Sequence, residues 1–218
     1  MHYVETYGVL GMDMLWISDF LTLKGQSLFR SSNDGRFTAM PFDEYPDLEV
    51  GPAGRVIVSA PSEGQFVVYD AKGRPSFYFS RDWEQPEISK YEIDEWQERV
   101  EAFRYHDASL VRGVDLPQKK APFYRQFWVD EDNWVWIRRM KEVRTKLDNE
   151  GSETFDIFND LGYWIGSAEL DLAPWVVRKD HIYIRFEGNS DTGPQLQRYA
   201  IHWMVQRNGH ALGSVLPQ

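Results

Sequence analysis

The sequence contains no cysteine, so disulfides and thiolate metal sites are excluded and stability must come from packing. No apolar run approaches the length of a transmembrane helix. The opening residues, MHYVETYGVLGMDMLW, lack a basic region, an apolar core and a small-residue cleavage site, and do not read as a signal peptide. The five histidines (His2, His106, His181, His202 and His210) are scattered, with no pair at helical ligand spacing. The zincin pattern, the Gly-x-Ser-x-Gly elbow and the P-loop are all missing. No catalytic residue stands out, and no cofactor is implied. Basic residues are also scarce: 24 Lys and Arg against 34 Asp and Glu leave a formal charge of −10 over 218 residues. That balance argues against nucleic acid or an anionic membrane surface as a partner.

What the chain has is aromatic and β-branched residues. Aromatics make up 15% of it, with nine Trp. Large flat side chains suit the space between stacked, twisted sheets. A chain of this length can bury about 70% of its unfolded surface, so a sizeable core is possible.

The organising stretch is Gln65 to Phe79, QFVVYDAKGRPSFYF, two alternating apolar runs about a turn containing Gly73. Period-two alternation puts one set of side chains on each face of a strand. Near-copies occur at Ser27 to Phe42 and Thr154 to Leu170, with Gly35 and Gly162 in the same turn position as Gly73. Glycine accepts the positive φ that such connections need. Before the hairpins stand polar turns followed by short apolar strands: GMDMLWIS, GPAGRVIVS, DEDNWVWIR and RKDHIYIRF. The unit is a turn, an inner strand, a loop and a hairpin. Repeats of about 40–50 residues with four short strands each are propeller blades.

The expected fold class is all-β, with propeller-type blades of four-stranded antiparallel sheets. In the first unit Tyr7 to Leu10, Leu15 to Ile17 and Phe20 to Leu23 read as separate strands before the hairpin at Asn33-Asp34-Gly35. A helical insertion is expected at about 87–106. Ser89 and Glu92 form a capping box, and Ile93, Trp96, Val100 and Phe103 form one apolar stripe. Lys141 to Ser152 reads as a charged loop in solvent. The last unit, ending at Trp203, lacks a hairpin partner, so 1–203 reads as a partial propeller domain; 204–218, with Asn208-Gly209, Gly213 and no sustained alternation, reads as a loose tail.

Two clusters invite a ligand. Asp130, Asp132 and Asn133 are oxygen-rich, but the EF-hand order and its closing Glu are absent, and a turn accounts for them without a metal. Trp128, Trp134 and Trp136 alternate along what reads as one strand face and could stack on sugars, but alternating aromatics in sheets are ordinarily core.

The order GPAGRVIVS, FVVYDAKGR, ISKYEIDEWQERVEAF, APFYRQFWVDEDNWVWIRR, TFDIFNDLGYWIGSAEL and RYAIHW resembles the C-terminal half of bacterial six-bladed β-propellers of the NHL/TolB-like type. The resemblance spans roughly Tyr45 to Trp203. It implies a non-enzymatic binding or scaffold role, exported or envelope-associated, although no signal peptide is read here. About three and a half to four blades are counted where such a ring has six. The chain is therefore expected to be an N-terminally truncated piece of a longer propeller. Self-association through open blade edges, or an arc stable alone and covered by the helix, are the alternatives. A ligand on the central axis would meet the starts of the inner strands at Tyr45, Asp47, Tyr124 and Gln126, with Arg125 as an entry charge. The competing functions are a lactonase-like hydrolase or lyase with a divalent metal, and carbohydrate recognition by exposed Trp.

Overall fold

In the computed structural model of the chain, one five-residue turn recurs at three hairpins. In Asp70–Arg74, Asp130–Trp134 and Asn159–Tyr163 the first N–H donates to the fifth carbonyl, at 2.9, 3.0 and 2.9 Å. The fourth N–H returns to the first carbonyl. The Oδ1 of the first side chain accepts from the N–H groups two and four residues on. The fourth residue is left-handed in each: Gly73 at φ 73°, Asn133 at 62° and Gly162 at 81°. An Asx side chain supplies in the turn what a backbone acceptor would otherwise supply, and Gly or Asn tolerates the left-handed position.

The structure describes residues 2–10, 16–30, 37–39, 42, 46–60, 64–104, 120–171, 174–178, 181–186, 193–205 and 211–217. The fold is all-β with blade-like antiparallel sheets. β1 (His2–Leu10), β2 (Trp16–Arg30) and β3 (Phe37–Ala39) form a three-stranded sheet. β4 (Leu48–Val50), β5 (Val56–Ala60), β6 (Gln65–Tyr69) and β7 (Pro75–Ser80) form a four-stranded sheet in chain order. β8 (Tyr124–Val129), β9 (Val135–Arg139), β10 (Glu153–Phe158) and β11 (Trp164–Leu170) repeat that order. So do β12 (Val176–Arg178), β13 (His181–Phe186), β14 (Gln195–Val205) and β15 (Ala211–Pro217). The last two units meet edge to edge where Gly166–Ala168 of β11 pairs in parallel with Ala211–Gly213 of β15, giving one eight-stranded sheet.

The β8–β11 unit is buried on both faces. Phe127, Val135, Ile137 and Phe158 point one way and pack on Ile57, Phe66, Val68 and Phe79 of the preceding sheet. Trp128, Trp136, Phe155 and Ile157 point the other way, toward Val177, Ile182, Ile184 and Ile201 of the following unit. Phe66 is the hub of the first seam: its ring lies 5.2 Å from Phe79, 5.1 Å from Tyr124 and 5.2 Å from Phe127. Full burial of each such side chain contributes about 1.5–3 kcal/mol. The first strands of the units abut, β4 beside β8 and β8 beside β12. A Cβ added at Gly51, just after β4, would come within 2.9 Å of Val129 at the end of β8 and of Asn133. β4 and β8 therefore finish at the same end, and their starts share the other.

Four expectations need revision. β2 runs unbroken through the two strands expected within 15–23, because the Ser18-Asp19 step pairs with Val9 and Gly8 of β1 and does not turn. The last unit does have a fourth strand. β15 lies in what was expected to be a loose tail, and its ladders to β14 and β11 satisfy the backbone without any strong alternation in ALGSVLP. Lys141 to Ser152 is not simply a solvent loop. Val143 within it is buried, and α2 (Lys146–Glu150) is capped by Thr145, whose Oγ1 accepts from Asp148 N–H at 3.2 Å. Trp128, Trp134 and Trp136 do not share a strand: Trp128 on β8 is the cross-strand partner of Trp136 on β9, both are buried, and Trp134 stands in the turn between.

The helical insertion is present as α1 (Lys90–Arg104). Its capping box forms as expected: Ser89 N–H donates to Glu92 Oε2 at 2.9 Å, and Glu92 N–H donates to Ser89 Oγ at 3.2 Å. The Ser89 hydroxyl also donates to the Val143 carbonyl, which fastens the helix start to the segment after β9. The stem is closed by the Glu87–Lys120 bridge and by Ala121 N–H donating to the Pro86 carbonyl at 2.9 Å. Among the described residues no helix is long and apolar enough to cross a membrane. Gly35 lies outside the described residues.

Candidate functional site

The inner strand β8 departs from a regular ladder at its start. Tyr124 pairs with Arg139 and Gln126 with Arg138, so Arg125 is an extra residue opposite no partner. Such a bulge turns neighbouring side chains to the same side and recurs beside binding sites. Here it leaves Arg125 and Gln126 both exposed. Tyr124 points inward instead and is only 6% exposed against Phe66, so it belongs to the core rather than to a ligand face. Asp47, just before β4, is half-buried and clamped to the second strand: its N–H donates to Ser59 Oγ at 2.6 Å and its carbonyl accepts from Ser59 N–H at 2.9 Å. Burial, and then the nearby Asp47 carboxylate, raise the Glu49 pKa. Tyr45 lies outside the described residues.

Arg125 is crowded despite its exposure. Desolvation, then the Arg138 charge, lower its pKa, while Glu153 and Glu92 oppose the shift. Its Nε lies 3.2 Å from Met140 Sδ. Arg138 and Glu153 pair at 2.7 Å, yet Arg138 Nε and Glu153 Oε2 are buried with no hydrogen-bond partner among the described residues.

The strongest polar constellation was not singled out in the sequence. Asp156, fully buried on β10, faces the first seam, where alternation calls for an apolar side chain. Its Oδ2 accepts from Trp83 Nε1 at 2.6 Å, and its Oδ1 accepts from Ser167 Oγ at 2.6 Å and Trp164 Nε1 at 3.3 Å. Arg81 donates to Oδ1 and stacks with its guanidinium carbon 4.0 Å from the Trp164 ring centre. Arg139 Nε stands 3.6 Å from Oδ2. A buried carboxylate is tolerable only with such complete pairing. The signal in the sequence was the Asp within TFDIF, flanked by residues that must be core. Asp130 is also buried and takes Asp132 N–H, Trp134 N–H and, at 3.3 Å, Trp136 Nε1; burial nevertheless raises its pKa. These acids hold turns and seams together. Among the described residues no three His, Asp or Glu side chains are grouped to hold a metal ion.

Next to Arg125 opens a cleft of about 620 Å3, between the insertion stem at Glu84–Glu87 and Lys120 on one side and, on the other, Arg139 at the end of β9 with Met140, Lys141, Glu142 and Arg144 after it. Two of its charges are engaged with each other: Arg144 donates to Glu142 at 2.8 Å, which lowers the Glu142 pKa and raises that of Arg144. Lys141 is taken up by the Ser152 carbonyl at 2.9 Å.

No protein-family model matches the chain. No curated protein matches it either.

Proposed function

We propose that the chain is a non-enzymatic binding protein of the β-propeller type, related to the bacterial six-bladed NHL/TolB-like proteins. Its ligand or protein partner contacts the starts of the inner strands. The observation that carries this reading is the bulge at Arg125, which sets two adjacent polar side chains, Arg125 and Gln126, outward from a strand otherwise committed to the core. Arginine beside an amide gives a directed donor set, suited to recognition rather than to acid–base chemistry. The buried, unpartnered Arg138 Nε and Glu153 Oε2, within electrostatic reach of Arg125, add polar capacity there. The buried acids Asp130 and Asp156 are saturated with donors from their own fold, which fits a structural duty better than a catalytic one. On the same reading the blades belong to an incomplete ring, whose open edges allow self-association.

The competing metal-dependent hydrolase or lyase makes a different prediction. A resident divalent ion stabilises the native state by mass action. Thermal melts in calcium and in chelator are expected to coincide. A rise of several degrees in calcium would replace the binding protein with the enzyme.

A further inference from the structure

We infer that the cleft beside the insertion stem is a second binding site, for a zwitterionic small molecule: an amino acid or a short peptide with free ends. The argument starts from Arg139. Its Nε stands 3.6 Å from an oxygen of buried Asp156, an ion contact that draws that edge of the guanidinium inward. Its terminal amino groups have no protein acceptor among the described residues, and Arg139 lines the cleft. A guanidinium held along one edge presents the other as a planar donor pair, the geometry that grips a carboxylate. Lys120 lines the same cleft from the insertion stem and has no carboxylate partner among the described residues.

Opposite in sign, Glu84 and Glu87 also line the cleft without partners among the described residues. The remaining charged lining groups are already used: Glu142 by Arg144, and Lys141 by Ser152. The unspent set is therefore two cations and two carboxylates. A ligand bearing only anions meets Glu84 and Glu87, and one bearing only ammonium meets Arg139 and Lys120. A molecule with one carboxylate and one ammonium group satisfies both. The volume, about 620 Å3, lies within the range of small-molecule sites. The cleft adjoins the Arg125 face through Met140 but is argued from other residues, so variants at Lys120 and Glu87 test it without altering Arg125 or Gln126.

The test is calorimetric titration of the whole chain with L-alanine and with trialanine, each also in its N-acetylated and its C-terminally amidated form. One of the two zwitterions is expected to bind at about millimolar concentration or tighter, and which one does so identifies free amino acid or peptide as the source. Each block is expected to weaken binding about tenfold or more, because a charge-assisted hydrogen bond is lost. Lys120→Gln should reduce sensitivity to C-terminal amidation while Arg139 remains, and Glu87→Gln should reduce sensitivity to N-acetylation while Glu84 remains, as expected for coupled groups. Lys146→Gln, on exposed α2 and paired with Glu150, should change nothing. Lys120 and Glu87 are exposed, so their variants should fold. Absence of binding by either zwitterion, or unaltered sensitivity to both blocks in the two variants, would overturn the assignment.

Discussion

The indole N–H of Trp83 donates to Oδ2 of Asp156 at 2.6 Å, across the seam between the β4–β7 sheet and the β8–β11 unit. The two residues stand 73 positions apart in the chain, so the bond ties blades and not neighbours. With Arg81 on the other carboxylate oxygen, it makes Asp156 the polar fastener of an otherwise aromatic interface.

Removing that carboxylate leaves Arg81, Trp83, Trp164 and Ser167 without their shared acceptor. Asp156→Ala is expected to cost about 3–5 kcal/mol, the range for breaking a buried ionic network from one side. Urea denaturation measures it. A loss under about 1 kcal/mol would mean that the network contributes specificity and little stability.

Gly162 and Gly193 separate backbone strain from crowding. Both have positive φ, at 81° and 61°. A Cβ at Gly162 would sit 2.9 Å from Phe79 Cβ on the adjacent sheet, whereas at Gly193 nothing lies within 4 Å. Gly193→Ala should cost about 1–2 kcal/mol from left-handed strain alone. Gly162→Ala should cost about 1–3 kcal/mol more, because the turn must lift off Phe77 and Phe79. Equal losses in denaturant melts would contradict the seam at that turn.

Two turn aspartates should titrate in opposite directions. Hydrogen bonds from the Arg74 backbone and side chain lower Asp70 to about 2. Its small, solvent-screened contribution is full above the ordinary Asp range and lost as pH falls toward that value. Burial raises Asp130, so the fold holds that proton more tightly than the unfolded chain does, and stability declines as pH rises through the elevated value. Side-chain carboxyl NMR titration should place Asp130 above Asp70, and the reverse order would refute the burial argument.

Ser89 serves two elements at once. Ser89→Ala removes the N-cap acceptor of α1 and the donor to Val143, and should cost about 1–2 kcal/mol. Hydrogen exchange should accelerate both at the start of α1 and in the segment 141–145. Acceleration at the helix alone would show that the Val143 link carries no weight.

Hairpins, inner strands and the capping box were legible because each rests on local chemistry. Asp70, Asn159 and the glycines three residues after them specify turns within five residues, and Ser89 with Glu92 specifies a helix start within four. β15 was not legible, since a strand held by ladders on both edges needs little alternation, although Asn208-Gly209 signals a turn before it. Of the expected ligand face, Arg125 and Gln126 emerge exposed, but the inward turn of Tyr124 depends on a bulge that only the β8–β9 register reveals. The pairing of Asp156 with Arg81 and Trp83 likewise depends on how two blades stack, which no local pattern encodes.

The most direct test is a residue-resolved amide NMR spectrum of the chain, titrated with a panel of organic acids, sugars and peptides. The account predicts that a panel compound perturbs the Arg125 and Gln126 amides, loses that effect in Arg125→Ala, and stays chemically unchanged. If no compound perturbs those amides, or if one that does is converted to product, the binding-protein account is contradicted.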